Sequence, residues 1–131
     1  MKSFKSLSHC KFSCKYHVIW CPKYRRKVLN ENIAIRLKEL LEIKAEDLKI
    51  EILEMEIMPD HVHLVLDTKP TEAIGTVIGR LKGYTCKYLR SEFPELKRRL
   101  PTLWTNSYFV STVGGVTLSV FKKYIENQKG K

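Results

Sequence analysis

Residues 49–67 read KIEILEMEIMPDHVHLVLD, from Lys49 to Asp67. Apolar and polar residues alternate on both sides of Pro59–Asp60, a turn pair, so the stretch predicts a β-hairpin with arms 49–58 and 61–67. In the first arm the apolar set runs Ile50, Ile52 and then slips to Leu53, Met55 and Ile57, as one bulged residue would produce. In the second arm Val62, Leu64 and Leu66 share one face, and His61, His63, Val65 and Asp67 share the other. The wholly apolar set belongs against helices, which leaves both histidines side by side on an open face. Two imidazoles so placed can share a divalent cation, or they can be polar residues at the wet end of a strand. The hairpin alone leaves both readings standing. A hard cation such as Mg²⁺ or Mn²⁺ also needs oxygen ligands and positions open to substrate. Asp67 lies about 13 Å along the strand from His63 and is too distant to be the choice.

Working outward, Cys14–Cys21 (CKYHVIWC) is rich in β-forming residues and ends at Pro22, which predicts a strand. A basic loop follows, and Asn30 is placed to cap a helix whose apolar face is Ile33, Leu37, Leu40, Leu41 and Leu48. Beyond the hairpin a second helix is expected over 71–90, with Ile74, Val77, Ile78, Leu81, Tyr88 and Leu89 inward. A strand over about 107–112 and a last helix over about 117–128 complete the chain. The order β-α-β-β-α-β plus one helix predicts an α+β, ferredoxin-like (split β-α-β) antiparallel sheet with two helices on one face. The third helix is available to cover part of the other face. At 131 residues the chain has room for one domain, 1–131, with a core over about 14–112 and a C-terminal helix over about 116–128.

Twenty-four Lys and Arg against 14 acids give a net charge of +10, which points to a polyanionic partner, with nucleic acid foremost. The candidate contacts are Lys23, Arg25, Arg26 and Lys27 in the first loop, Arg80, Lys82 and Lys87 on the second helix, and Lys122 and Lys123 on the last. Lys97, Arg98 and Arg99 form a further basic cluster. No apolar stretch approaches the length of a membrane span, and the N-terminus lacks the apolar core of a signal peptide, so a cytoplasmic location is expected. Cys10, Cys14, Cys21 and Cys86 then read as reduced thiols. The group His9, Cys10, Cys14, His17 and Cys21 lacks a tight cysteine pair, and strand alternation puts Cys14 opposite His17 and Cys21, which argues against zinc.

In the last helix, TLSVFKKYIENQ, an apolar stripe of Leu118, Phe121 and Ile125 is expected to anchor it. Tyr124 and Gln128 are four apart and share a face. A tyrosine can attack a phosphodiester whose charge a metal offsets, and a glutamine oxygen one turn away can reach the same metal. Tyr84 and Tyr88 have the same spacing, so spacing does not single out Tyr124. Gly75, Gly79 and Gly83 recur every four residues on the second helix at about 1 kcal/mol each against alanine. They are either tolerated or mark close approach by a subunit or DNA, in which case Gly79→Ala would disturb dimerisation or hairpin binding. Gly114 and Gly115 read as a hinge or a simple turn.

Four blocks, YHVIWCPKYRRKVL (16–29), DHVHLVL (60–66), WTNSYFVSTVGG (104–115) and KKYIENQ (122–128), together resemble the IS200-like single-tyrosine transposases of the TnpA type, the His-hydrophobic-His enzymes of insertion sequences that move as single-stranded DNA. The resemblance runs from about Lys15 to Gln128. It implies that His61 and His63 are metal ligands, that Gln128 supplies a third ligand, and that Tyr124 is the nucleophile. It also implies a homodimer in which the tyrosine helix of one subunit can complete the other's site. The implied substrate is single-stranded DNA with hairpins at element ends, cut through a 5′-phosphotyrosine and rejoined with Mg²⁺ or Mn²⁺ and no nucleotide cofactor. A phenol with an ordinary pKa near ~10 would be helped by cationic surroundings such as Lys122 and Lys123. The rival expectations are a host-captured tyrosine nuclease acting on chromosomal hairpin repeats and a non-catalytic single-strand nucleic-acid-binding module.

Overall fold

The computed structural model describes residues 5–7, 10–12, 14–113 and 118–131. In chain order its elements are β1 (Lys5–Leu7), β2 (Cys10–Phe12), β3 (Lys15–Trp20), a 3₁₀ turn (Lys23–Arg25), α1 (Glu31–Leu48), β4 (Glu51–Met58), β5 (His61–Asp67), α2 (Ile74–Glu92), α3 (Pro94–Arg99), β6 (Phe109–Thr112) and α4 (Leu118–Asn127). The last four strands pair antiparallel in the order β4-β5-β3-β6, the split β-α-β arrangement that the element order predicts. The pairing of β1 with β2 forms a separate small hairpin that no sequence pattern had indicated.

One face of the sheet is dry. Val18 and Trp20 of β3 and Val62, Leu64 and Leu66 of β5 are fully buried against Ile33, Leu37, Leu40 and Leu41 of α1 and Val77, Ile78, Leu81 and Leu89 of α2. Trp104 closes this core edge-on to Trp20 and donates its indole N–H to Thr85 at 3.0 Å. The bulge falls where the phase slip placed it, with the β4–β5 register shifting between Ile52 and Glu54. Asn30 caps α1, its side-chain oxygen accepting from the Ile33 N–H at 3.0 Å.

Four boundaries or orientations differ from expectation. α2 begins at Ile74, because the Glu72 N–H turns back to the Lys69 carbonyl and Thr71 does not cap the helix. Tyr88 is not inward: it is exposed on α2, its ring packed on Tyr84. α3 is an added helix with Pro94 at its start, Glu95 in its first turn and Lys97, Arg98 and Arg99 in its last, all in accord with the helix dipole. β6 begins at Phe109 because the Thr105 and Ser107 carbonyls are taken by the Lys82 ammonium instead of a strand ladder. Thr117, Gly114 and Gly115, with the hinge reading attached to them, lie outside the described residues, as do His9 and the Leu118 and Phe121 side chains.

Candidate active site

Both histidines of β5 stand on the face away from α1 and α2. In register, His63 faces Ile19 of β3 on one side and Glu56 of β4 on the other, while His61 faces Met58. His17, two residues from Ile19, shares this face: its Nδ1 is 3.3 Å from His63 Nε2, and the two rings stack with centroids 5.5 Å apart. Burial and the neighbouring His17 push the His63 pKa down, so its imidazole is neutral at physiological pH, the form that ligates metals. His61 Nδ1 is 2.9 Å from Asp60 Oδ1. A carboxylate only accepts, so Nδ1 carries the proton in this contact and Nε2 is the ring nitrogen left for a further partner.

The loop after β3 reaches back to this strand end. Tyr24 and Arg25 both adopt left-handed backbone, φ 60 and 50, which is uncommon for residues with a side chain. The turn aims Arg25 inward, its Nε 3.5 Å from Asp60 Oδ2 and one terminal nitrogen donating to the Ile125 carbonyl of α4 at 3.0 Å. Arg25, expected as a DNA contact, is an internal tie between the histidine strand and the tyrosine helix.

On α4, Tyr124 is half-buried. Its ring lies against Phe109 with centroids 5.6 Å apart, and its hydroxyl is 3.4 Å from Ser107 Oγ. Ser107 donates to Gln128 Oε1 at 2.7 Å, and Gln128 is buried just past the helix end. Burial pushes the Tyr124 phenol up to about 12, with the Ser107 hydrogen bond opposing it. Lys122 and Lys123 are exposed and do not offset that rise, contrary to the help expected of them. Cys21, itself pushed up to about 12 by burial and by Asp60, adds to the rise at Tyr124. The Arg25 contacts with Asp60 and with the Ile125 carbonyl bring the tyrosine helix to the His61–Asp60 corner.

Lys82 holds the floor of this site. Its ammonium donates to the carbonyls of Thr105 at 2.6 Å and Ser107 at 3.0 Å, and burial lowers its pKa to about 8. It is a strut under Ser107, its ammonium engaged by two backbone carbonyls. The other basic candidates do reach solvent: Arg26, Lys27, Arg80 and Lys87 are exposed, and Lys23 is half-buried with its ammonium 5.3 Å above the Tyr24 ring. Tyr24, Arg25, Arg26, Lys27, Arg99 and Lys129 line a basic cleft of about 490 Å³. The glycine stripe divides. A side chain at Gly75 would meet the Tyr108 hydroxyl at 2.8 Å, whereas Gly79 and Gly83 border a hollow of about 260 Å³, and a side chain at either would meet nothing within 4 Å among the described residues.

The donor set suits a divalent cation. Among the described residues no three His, Cys, Asp or Glu side chains gather to hold a metal, so two imidazoles need a partner of another kind. Gln128 Oε1 is a neutral oxygen carried just beyond the tyrosine helix. Two imidazoles and one amide oxygen would leave positions for phosphate oxygens on such a cation. Asp67 is buried at the far end of β5, opposite Lys15, apart from this group. Ser107, Asp60 and His17 are site residues that sequence spacing did not select. For Asp60 the adjacent His61 was the available signal.

Residues 10–128 match the family described as "Transposase IS200 like". The ISDra2 transposase TnpA of Deinococcus radiodurans is 40% identical over 122 residues, spanning 92% of this chain and 87% of that protein. The transposase for insertion sequence element IS200 of Salmonella typhimurium is 34% identical over 126 residues, 95% of this chain and 82% of the relative. A crystal structure of a candidate transposase from Deinococcus radiodurans R1 superposes with a TM-score of 0.88 at 37% identity, over 100% of both chains. A REP-associated tyrosine transposase bound to a REP hairpin shares the fold, with a TM-score of 0.58 at 11% identity over 92% of this chain and 69% of that one.

Proposed function

The chain belongs to the IS200-like transposase family, and from that premise we propose that it cuts and rejoins single-stranded DNA through Tyr124 at hairpin-marked element ends. The observation that carries this reading is the Tyr124–Ser107–Gln128 arrangement beside the His61 end of β5. Ser107 Oγ stands between the Tyr124 hydroxyl and Gln128 Oε1 and ties the phenol oxygen to the buried amide. In the cutting step the phenol oxygen forms a bond to the scissile phosphorus as the bond to the 3′ oxygen breaks, leaving a 5′-phosphotyrosine and a free 3′-hydroxyl. Attack by another 3′-hydroxyl reverses the exchange, so no nucleotide cofactor is consumed.

His61, His63 and Gln128 would hold a divalent cation, Mg²⁺ or Mn²⁺, which would supply charge stabilisation at the phosphate. Hairpin DNA is the proposed ligand, and the fold neighbour that holds a REP hairpin supports it. The exposed Arg26, Lys27, Arg80, Lys87, Lys122 and Lys123 and the half-buried Lys23 would contact its backbone, and a homodimer belongs to the same reading. A purely binding module has no use for a phenol, a serine and a buried amide in series.

The test is incubation of the protein with hairpin-bearing single-stranded DNA and Mg²⁺ or Mn²⁺, run on a denaturing gel. A covalent DNA–protein adduct is expected for the wild type and none for Tyr124→Phe, with hairpin affinity retained. An adduct that persists in Tyr124→Phe refutes the nucleophile assignment.

A further inference from the structure

We propose that Asp60 and Arg25 are positioning residues that lock the His61 imidazole and the tyrosine helix into one frame; the proposal rests on reading His61 as a metal ligand. The links are continuous. Asp60 Oδ1 meets His61 Nδ1 at 2.9 Å, Asp60 Oδ2 meets Arg25 Nε at 3.5 Å, and the Arg25 guanidinium donates at 3.0 Å to the carbonyl of Ile125, the residue after Tyr124. The Arg25 and Asp60 side chains are each 19% exposed and that of His61 18%, so this is not one of the solvated surface pairs that hold little in place.

The chemistry suits the role. A carboxylate on Nδ1 fixes both tautomer and ring direction, leaving the Nε2 lone pair for a cation. The planar guanidinium can serve the carboxylate with Nε and the helix carbonyl with a terminal nitrogen at once, which a lysine ammonium cannot do in the same geometry. The left-handed backbone of Tyr24 and Arg25 persists only where its surroundings over-determine it, and here it turns Arg25 back toward Asp60. The tyrosine helix is thereby tied to the histidine strand through three side chains, in addition to the packing of Tyr124 on Phe109 of the sheet.

The experiment reads two signals on the full-length chain. The first is the imidazole ¹⁵N spectrum of metal-free protein: His61 is expected as the Nδ1–H tautomer in the wild type and in Asp60→Asn, and as the Nε2–H form favoured in water in Asp60→Ala. The second is Mn²⁺ affinity by electron paramagnetic resonance, expected to fall about 10–100-fold in Asp60→Ala. Arg25→Ala should also weaken Mn²⁺ binding, and Arg25→Lys, which keeps the charge, should not restore it. An Nε2–H wild-type His61, or Asp60→Ala binding Mn²⁺ as tightly as wild type, overturns the proposal. Loss of hairpin affinity in Arg25→Ala with Mn²⁺ binding intact returns Arg25 to a DNA contact and overturns its part. A wild type with the Nδ1–H tautomer that takes up no Mn²⁺ defeats the metal assignment instead, while the orientation of His61 by Asp60 stands.

Discussion

Tyr124 is a phenol that the protein makes harder to ionise. Its folded pKa of about 12 lies above the ordinary value of 10.0, and burial is the first cause. Between these values the unfolded chain has lost the proton that the folded chain keeps, so the stability tied to this group is full below pH 10.0 and drains away as pH rises through about 12. Alkaline denaturation should therefore weaken the wild type relative to Tyr124→Phe across that window, and the phenolate absorbance difference between the two should titrate late. A wild-type difference spectrum that titrates at the ordinary tyrosine value would show that the ring is solvated. Lys82 makes a second prediction at this scale. Lys82→Met removes the donor shared by two carbonyls and should cost about 1–3 kcal/mol in urea denaturation. It should also slow adduct formation by loosening Ser107 while leaving hairpin affinity alone; a fall in affinity with unchanged stability would mark Lys82 as a phosphate contact after all. Neither role was legible from sequence. Lys82 looked like one more cation on a basic helix, because its two acceptors lie 23 and 25 residues away in the chain.

Elements were more legible than contacts, since their signals are local. Alternation along 49–67 and the Asn30 cap each operate within a few residues; the cap appears as read and so does the second arm, while the first arm starts at Glu51 and not at 49, because Lys49 ends α1 in a left-handed turn. Asn30→Ala should lower stability by about 1 kcal/mol in urea titration, the usual value of such a cap. α3 was missed although its Pro94, Glu95 and terminal cations follow helix-end chemistry, because at 6 residues it is too short to show a periodic apolar face. The start of β6 was misjudged for a different reason: the pattern from Ser107 onward is strand-like, but a side chain from α2 captures the carbonyls that would begin the ladder. The glycines of α2 allow a prediction with two outcomes. Alanine at Gly79 or Gly83 meets nothing among the described residues, so each substitution should raise the melting temperature, by up to about 1 kcal/mol of stability. A simultaneous loss of hairpin affinity or of dimer would identify the hollow they border as a contact surface; full retention would leave them as tolerated helix glycines.

At the scale of the whole molecule, the charge of +10 gathers in part around the basic cleft at the first loop and α3. Hairpin binding should weaken steeply with added salt, and Arg26→Ala or Lys27→Ala should each reduce the slope of log affinity against log salt by about 1. A slope unmoved by either substitution would place the DNA elsewhere. No helix of the described residues is long and apolar enough to cross a membrane. The face carrying His61 and His63 followed from alternation alone, and the Tyr124–Gln128 pair from helical spacing, yet only family resemblance singled them out from Tyr84 and Tyr88. What joins the two halves was out of reach of any local pattern, because Arg25 and Ser107 act on partners delivered by distant segments.

The bond from Arg25 to the Ile125 carbonyl joins residues 100 apart in the chain. Closing so long a loop has an entropic cost that the hairpin of β4 and β5, formed by neighbours, does not bear. The tie should therefore form after the folding transition state, when the sheet and α1 already exist. Arg25→Ala and Asp60→Ala should then speed unfolding while leaving the refolding rate close to that of the wild type. Under gently destabilising conditions α4 should separate from the sheet before the core opens, with its amides exchanging hydrogen ahead of those of β5. The machinery that cuts would be the last part of the protein to assemble and the first to come apart.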